Sequence, residues 1–466
     1  MLKKFMITIL LSPLFLLVPI TVGAEGINGQ DWQDEMIYSL MVDRFSDGDV
    51  DNDFDVNVQD PLRYQGGDFQ GIIDQLDYIK EMNFTVVQLS SIFANEEGGF
   101  HGEWVKDYTQ PEPHFGTIEE FKQLVDEVHK RKMKMILEIP VMSPEEYPNL
   151  EEVLLSATLS WIDVGVDGIQ MNHLKELTPA YWEHFISEVK KAKPDIFITG
   201  FEKDLDQTEL EAYDQLGFDS MVNVPLNRLL REELSEPNQS FQPLFDLWEK
   251  NEKKFSRRIA FFDNQYTPRF TTEMLEKGTY PITGWKQALA FLYTQPEMPM
   301  VYYATETAVD GKELPENIPL MNFRADKELS DYISKLGQIR KEQPALTRGT
   351  IKLLYEKDGM VVYQRQYKAD TLVIAVNNTT KDQAVRLSKE QLEDEKELRG
   401  LLNNDLVRSA DGEYQLVIDR DQAEIYKLME KSGYNILFIL SIFIVFALFG
   451  LFMYIAWRRG KNKPID

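Results

Sequence analysis

The chain has 466 residues, 43% of them hydrophobic and 12% aromatic, which is enough apolar material for one large core or two moderate ones and too much for wholesale disorder. Fifty basic residues stand against 77 acidic ones, a formal charge of −27 that repels nucleic acid and suits a soluble body facing an open medium. No cysteine is present, so disulfides, thiolate metal sites and cysteine nucleophiles are excluded.

The chain begins MLKK, followed by an apolar run over 5–22 and then Val22-Gly23-Ala24. A basic start, a short apolar stretch and small residues before Glu25 predict a secretory signal peptide over 1–24. From 36 to about 343, short β-like runs alternate with amphipathic helical ones. Strands are expected at 37–42, 85–89, 133–139, 168–171, 196–200, 220–224, 258–262 and 300–303. Helices are expected at 72–82, 118–132, 150–164, 180–193, 285–294 and 329–342. Eight strands with intervening helices predict an α/β fold, a (β/α)8 barrel over 25–348. A doubly wound open sheet is the alternative, and the lack of a Gly-rich phosphate loop after the first strand counts against it. Over 349–430 the runs at 351–355, 360–364, 371–376 and 423–427 are short, alternating and bounded by turn residues. They predict a small antiparallel β-sandwich domain.

Residues 435–457 are an almost unbroken run of Ile, Leu, Phe, Val and Ala. As a helix, such a run spans a hydrocarbon layer of about 30 Å. Arg458, Arg459, Lys461 and Lys463 follow it, and positive residues stay on the cytoplasmic side. Tyr434, Tyr454 and Trp457 suit the two interfaces. The expectation is a single-pass cell-membrane protein with its body outside the cytoplasm and 458–466 inside.

Several motifs recur in order along the body. Residues 37–53 read IYSLMVDRFSDGDVDND, and Gly66-Gly67-Asp68-Phe69-Gln70-Gly71 follows. Next come Phe100-His101-Gly102-Glu103-Trp104, then His114-Phe115-Gly116-Thr117, then Gly165-Val166-Asp167-Gly168-Ile169 before Gln170-Met171-Asn172. Later stand Phe262-Asp263-Asn264-Gln265-Tyr266-Thr267-Pro268-Arg269-Phe270 and Val301-Tyr302-Tyr303-Ala304-Thr305-Glu306. Over 31–427 this series resembles the α-amylase family of glycoside hydrolases, particularly its cyclodextrin glucanotransferase and maltogenic amylase branch. The resemblance implies a barrel with a domain B inserted after the third strand, and a sandwich domain C. Only about a dozen residues, 141–152, are available for that insertion, so domain B is expected to be nearly absent and the barrel mouth more open.

Retaining cleavage of a glycosidic bond needs two carboxyl groups about 5 Å apart, one a nucleophile and one an acid of raised pKa. The resemblance adds a third carboxylate, an arginine and two histidines, all at the C-terminal ends of barrel strands. These positions are replaced here. Gln170 and Asn172 stand for the arginine and the nucleophilic aspartate, and Phe201 stands for the acid glutamate. Gln265 and Tyr266 stand for a histidine and the third aspartate, Ser143 for the other histidine, and Glu103 for the tyrosine under the reacting sugar. Of the remaining carboxylates, Glu202 is one residue past Phe201, and strand alternation turns it away unless a bulge restores it. Asp263 matches a flanking residue, and Glu138 takes the place of a supporting aspartate. An inactive homologue is the expectation.

Asp47, Asp49, Asn52, Asp53, Asp68 and the Gly66 carbonyl resemble a family calcium site near the first strand. Calcium takes six to eight hard oxygens. A solvated acidic loop is the plain alternative. His101, Trp104 and Lys175 match positions near the sugar cleft, with Trp104 and Lys175 the candidates for holding glucan and His101 a loop support. His173 is expected at the surface. The function these readings imply is a membrane-anchored, non-catalytic protein that binds α-glucan or a partner protein. The alternative is an α-glucan hydrolase or transglycosylase using rearranged carboxylates, Glu202 or Asp263.

Overall fold

The computed structural model describes residues 32–145, 147, 149–251, 258–432 and 436–461. The expected signal peptide and the end of the basic tail lie outside them.

In chain order the first elements are β1 (Ile37–Leu40), α1 (Val42–Phe45), α2 (Phe69–Glu81), β2 (Val86–Leu89), β3 (Phe93–Asn95), β4 (Val105–Pro111), α3 (Ile118–Lys130), β5 (Lys134–Pro140), α4 (Leu150–Val164) and β6 (Gly168–Asn172). Then come α5 (Pro179–Ala192), β7 (Phe197–Phe201), α6 (Gln207–Tyr213), β8 (Ser220–Val222), α7 (Val224–Ser235), α8 (Gln242–Asn251), β9 (Arg258–Phe261), α9 (Phe270–Glu276), α10 (Pro281–Thr294), β10 (Met298–Tyr302), α11 (Glu328–Glu342) and α12 (Pro344–Arg348). Strands β1, β2, β5, β6, β7, β8, β9 and β10 are parallel and close on themselves, β10 pairing back onto β1. All eight expected strands are present. Closure excludes the open-sheet alternative.

Parallel barrel strands are covered on both faces, so each reads as an apolar run. Alternation then splits every strand. Ile37, Val86, Ile136, Phe197, Phe201, Val222, Ile259, Phe261, Met298 and Met300 pack inside the barrel. Their neighbours Tyr38, Val87, Leu137, Ile169, Ile198 and Ala260 pack outward against the helices. Gln88, Glu138, Gln170 and Asn172 share the inward parity of β2, β5 and β6, and register sets Glu138 beside Gln170, and Asn172 beside Phe201. Polar residues on inward positions of three adjacent strands therefore meet by construction.

The link from β5 to α4 is short, 141–149, and α4 starts at Leu150. The sequence reading missed the β3–β4 hairpin, which is short and breaks register twice. The Tyr108 hydroxyl donates to the Pro140 carbonyl at 2.7 Å, and Trp161 Nε1 donates to the Tyr108 carbonyl at 2.7 Å. These bonds fasten β4 over the C-terminal end of β5. The hairpin's loop carries His101, Glu103 and Trp104.

After α12 the chain forms β11 (Thr350–Lys357), β12 (Met360–Tyr367), β13 (Asp370–Asn377), β14 (Gln383–Ser388), β15 (Lys396–Gly400), β16 (Leu406–Arg408), β17 (Glu413–Ile418) and β18 (Gln422–Glu430). A six-stranded antiparallel sheet, β11-β12-β13-β18-β15-β16, faces the β14–β17 pair across its own apolar core. Its other face joins the barrel's core through Val361, Tyr363, Leu372, Ile374, Val376 and Ile425. Phe291 of α10 is the pivot, with its ring centroid 5.6 Å from those of Phe241, Trp248 and Tyr363. The last helix, α13 (Ile436–Lys461), contains a stretch, Leu440–Arg458, long and apolar enough to cross a membrane.

Phe291→Ala is expected to cost about 3–5 kcal/mol, the usual range for emptying a buried phenylalanine site. Because barrel and sheet domain share one core, denaturant unfolding of the variant should remain a single transition. Two separated transitions would contradict the shared core.

Candidate active site

The C-terminal ends of β2, β5, β6 and β7 deliver Gln88, Glu138, Gln170, Asn172 and Phe201 to the barrel mouth, all buried. From above, the hairpin loop brings Glu103 and the segment after β9 brings Gln265 and Tyr266. A hydrogen-bond web joins them. Gln170 Nε2 donates to Asn172 Oδ1 at 2.9 Å. Asn172 Nδ2 donates to Glu138 Oε2 at 3.0 Å and to the Tyr266 hydroxyl oxygen at 3.2 Å. That hydroxyl donates in turn to Glu103 Oε1 at 2.7 Å. Gln265 Nε2 reaches both carboxylates, Glu103 Oε1 at 3.2 Å and Glu138 Oε2 at 3.3 Å. Gln88 Nε2 donates to Glu138 Oε1 at 2.7 Å and to Gln170 Oε1 at 3.3 Å. The Tyr266 ring lies flat on Phe201, centroids 5.0 Å apart.

Electrostatics follow from this arrangement. Burial lifts the Glu138 carboxyl to about 7; its Gln88, Asn172 and Gln265 donors pull it down and the Glu103 charge pushes it up. All three donors are neutral amides, which stabilise a carboxylate less than a cation does. His173 corrects the expectation of a surface residue. Its backbone takes a left-handed conformation, φ 61°, after β6, and its Nε2 lies 2.7 Å from Glu103 Oε2. Burial lowers the imidazole, but the hydrogen bond and charge of Glu103 more than offset this and hold it above its ordinary value. Residue type and spacing gave no signal for this partnership, because Glu103 lies 70 residues away.

A cavity of about 550 Å³ opens above this web, lined by His101, Glu103, Trp104, Gln265, Tyr266 and Asn317 among others. Glu138, Asn172 and Phe201 do not line it. A second cavity of about 460 Å³ flanks Tyr266 on the Phe201 and Arg231 side. Trp104 is half exposed, its ring edge-on to His101 with centroids 4.6 Å apart. His101 Nδ1 accepts the Glu103 backbone N–H at 3.1 Å, so it braces the loop. Burial lowers its pKa.

The other predicted residues stand apart. Glu202 is buried, and its Oε2 accepts the Lys175 backbone N–H at 3.1 Å. Lys175 Nζ pairs with Glu209 at 2.8 Å and lies outside both cavities. Asp263 is locked by Arg231 at 3.0 Å and the Phe270 backbone N–H at 2.8 Å, with Arg269 at 3.8 Å. Ser143 Oγ accepts the Glu145 backbone N–H in the β5–α4 link.

At the acidic loop, Asp68 is committed to the backbone. It accepts from Gly71 N at 2.6 Å as the N-cap of α2, and from Asp49 N at 2.8 Å. Asn52 Oδ1 and Asp53 Oδ1 are buried without donors. Burial first, then the charges of Asp53, Asp68 and Asp49, holds the Asp47 carboxyl above its usual range. Gly66 has φ 92°, and a Cβ there would meet Asp53 Oδ1 at 2.9 Å, so its backbone closes on the same point. Donor-free oxygens and mutually repelling carboxylates are the chemistry that accepts a hard cation. Among the described residues, no group of three or more acidic or histidine side chains already stands at metal-binding positions.

Comparison with known proteins agrees with the architecture. The model for the α-amylase catalytic domain matches residues 38–142, and that for the α-amylase C-terminal domain matches 349–426. The crystal structure of an Anoxybacillus α-amylase is 41% identical, superposes with a TM-score of 0.83, and is matched over its full length by 87% of this chain. The chain belongs to the α-amylase family. The α-amylase of Geobacillus thermoleovorans, solved with acarbose, is 39% identical over 87% of this chain and all of its own, TM-score 0.81. A cyclomaltodextrin glucanotransferase of a Bacillus species is 25% identical over 82% of this chain and 66% of its own. The chain spans two thirds or less of the length of the curated relatives it matches.

The amide-only cradle makes Glu138 a pH-dependent liability. Its folded pKa of about 7 exceeds the ordinary glutamate value of 4.5, so its contribution is full below 4.5 and lost as pH rises through 7. A gap of that size corresponds to about 3 kcal/mol. Denaturant unfolding of Glu138→Gln against the parent should show the variant gaining about that much relative stability as pH rises across this window. A difference that does not change with pH would contradict the raised pKa.

Proposed function

We propose that this α-amylase-family chain is a membrane-anchored ectodomain that binds α-glucan at its barrel mouth without cleaving it. The observation that carries the reading is the position of Tyr266, stacked on Phe201 with its hydroxyl bonded to Glu103 and Asn172. Retaining hydrolysis needs two carboxyl groups flanking a sugar carbon. Glu103 and Glu138 are drawn together at the mouth, but the Tyr266 hydroxyl and the Gln265 amide fill the space between them. Glu138 has both oxygens engaged by amide donors and lies behind the cavity wall.

Binding is supported by half-exposed Trp104 at the cavity edge and by the α-amylase relative solved with acarbose. The membrane reading is supported by the apolar stretch of α13 and the basic residues after it, with the body outside the cytoplasm. Calcium at Asp47, Asp49, Asn52, Asp53 and the Gly66 carbonyl is supported by the donor-free oxygens, and it would tie the loop to the start of α2. A protein partner at the membrane is the other occupant proposed for the ectodomain. One observation favours a hydrolytic reading. Gln265 bonds Glu103 and Glu138 at once, so the two carboxylates are no farther apart than those two bonds laid end to end.

The full chain in detergent, incubated with maltoheptaose and soluble starch, should release no new reducing ends and no cyclodextrin. It should be retained on immobilised amylose, and Trp104→Ala should weaken that binding about tenfold, the ~1.4 kcal/mol of one lost aromatic face. Turnover that vanishes in Glu103→Gln or Glu138→Gln would establish the hydrolytic reading instead.

Calcium has its own readout. The melting temperature should rise with added calcium, by the equivalent of about 2.7 kcal/mol at a hundredfold excess over Kd, and Asp47→Asn with Asp53→Asn should abolish the rise. Indifference to both calcium and chelator would remove the site.

A further inference from the structure

The barrel-side face of the six-stranded sheet runs past the barrel and ends in the open. Ala423 and Ile425 of β18 belong to the core shared with the barrel. Two residues on, Lys427 Nζ still reaches Gln343 at 2.7 Å and Asp370 at 3.3 Å. Met429, the next residue of this parity, is 40% exposed. Strand register extends the face sideways. Glu397 of β15 lies opposite both Met429 and Arg408, and Arg399 lies opposite both Lys427 and Leu406. Residues paired across strands, and residues two apart, share a face. Leu406 at 48% exposure, half-exposed Arg399 and Arg408, and Met429 therefore form one overhanging patch.

Its centre is fixed to the chain that leads to α13. Buried Glu397 accepts from Arg399 Nη2 at 3.1 Å, from Arg408 Nε at 3.2 Å and from Ser432 Oγ at 2.9 Å, and Arg408 Nη2 donates to Ser432 Oγ at 3.1 Å. Ser432 is bonded to the patch, and Ile436 opens α13. Four residue steps reach at most about 14 Å. The polar headgroup layer adds roughly 5–7 Å on each side of the hydrocarbon. A helix that enters a bilayer this close to Ser432 keeps the patch within reach of the headgroup layer.

Charge sets which face can approach. The chain as a whole carries −27 and is repelled by an anionic leaflet. The patch has two guanidiniums over one carboxylate. Around it Lys396 and Lys431 face Glu393, Glu430 and Glu395, which leaves one negative charge, so the patch with its rim is close to neutral on a chain that is otherwise strongly acidic. Guanidiniums fork onto phosphate, and their methylene stems lie along apolar neighbours such as Leu406 and Met429.

We propose that this overhanging face rests on the phosphate headgroups of the same membrane that α13 crosses, so that the ectodomain lies against the bilayer through Arg399, Arg408, Leu406 and Met429. The proposal depends on the reading of α13 as a membrane span, and its test separates the two. The chain has no cysteine, so single cysteines can be labelled without background. Leu406→Cys, Met429→Cys, Val417→Cys on exposed β17, and Phe446→Cys within α13 are each made in the full chain, labelled with a fluorophore and placed in nanodiscs of phosphatidylcholine and phosphatidylglycerol. The discs carry nitroxide quenchers in the headgroup layer or in the acyl chains. Acyl nitroxide should quench position 446, headgroup nitroxide should quench 406 and 429, and 417 should stay bright. Arg399→Gln with Arg408→Gln should restore emission at 406 and 429 and leave 446 quenched. Quenching at 446 with 406 and 429 as bright as 417 keeps the membrane span and overturns the docking, leaving the face to a protein neighbour or a second copy. A bright 446 overturns the span and the docking with it.

Discussion

The barrel mouth is organised around one constraint, a carboxylate buried without a cation. Glu138 sits at an inward position of β5, and its neighbour on the adjacent strand is Gln170, a neutral amide. With no positive charge at hand, a second carboxylate at position 172 would face Glu138 across about 3 Å, and like charges that close raise each other's proton affinity steeply. An amide at 172 resolves the conflict, because it donates where a carboxylate could only repel. The same logic extends outward. Gln265 and Gln88 donate to Glu138, and the Tyr266 hydroxyl completes the contact with Glu103. Gln88, Gln170, Asn172, Gln265 and Tyr266 thus act as one coupled unit, a hydrogen-bonded web that holds Glu138 on neutral donors.

The coupling explains why Phe201 and Tyr266 belong together. With the position after Gly200 apolar, Phe201 packs into the barrel interior and offers a flat ring at its upper edge. Tyr266 lies on that ring and sends its hydroxyl to the polar side. A residue lacking either the ring or the hydroxyl would leave Phe201 wet or Asn172 short of a partner.

Much of this was legible in the sequence, and the rest was not for identifiable reasons. The eight barrel strands follow from apolar runs punctuated by helical periods, and α4 matches its expected span because Leu150 to Val164 is bounded by Asn149 and Gly165. Gln170, Asn172, Gln265 and Tyr266, singled out from the motifs that flank them, do meet at the barrel mouth. The partnership of Glu103 with His173 was invisible, since it joins a hairpin loop to a left-handed turn after β6. So was the hairpin itself, since β3 has only three residues and the seven of β4 bury Val105, Tyr108 and Pro111, every third residue and not every second. Alternation did anticipate that Glu202 leaves the mouth, where it holds the Lys175 backbone. Which oxygens of the acidic loop lack donors depends on a fold that spacing does not specify, and Asp68 is spent on capping α2.

The shared core beneath Phe291 has a mechanical consequence. Barrel and sheet domain are welded by Tyr363, Ile374 and Ile425, and β18 is the strand from which the chain runs on to α13. With that helix held in a bilayer, the welded body as one piece would set the height of the barrel mouth above the surface. Reach, and with it the local supply of any tethered or surface-bound chain, would then be governed by a standoff that neither domain can lengthen by parting from the other.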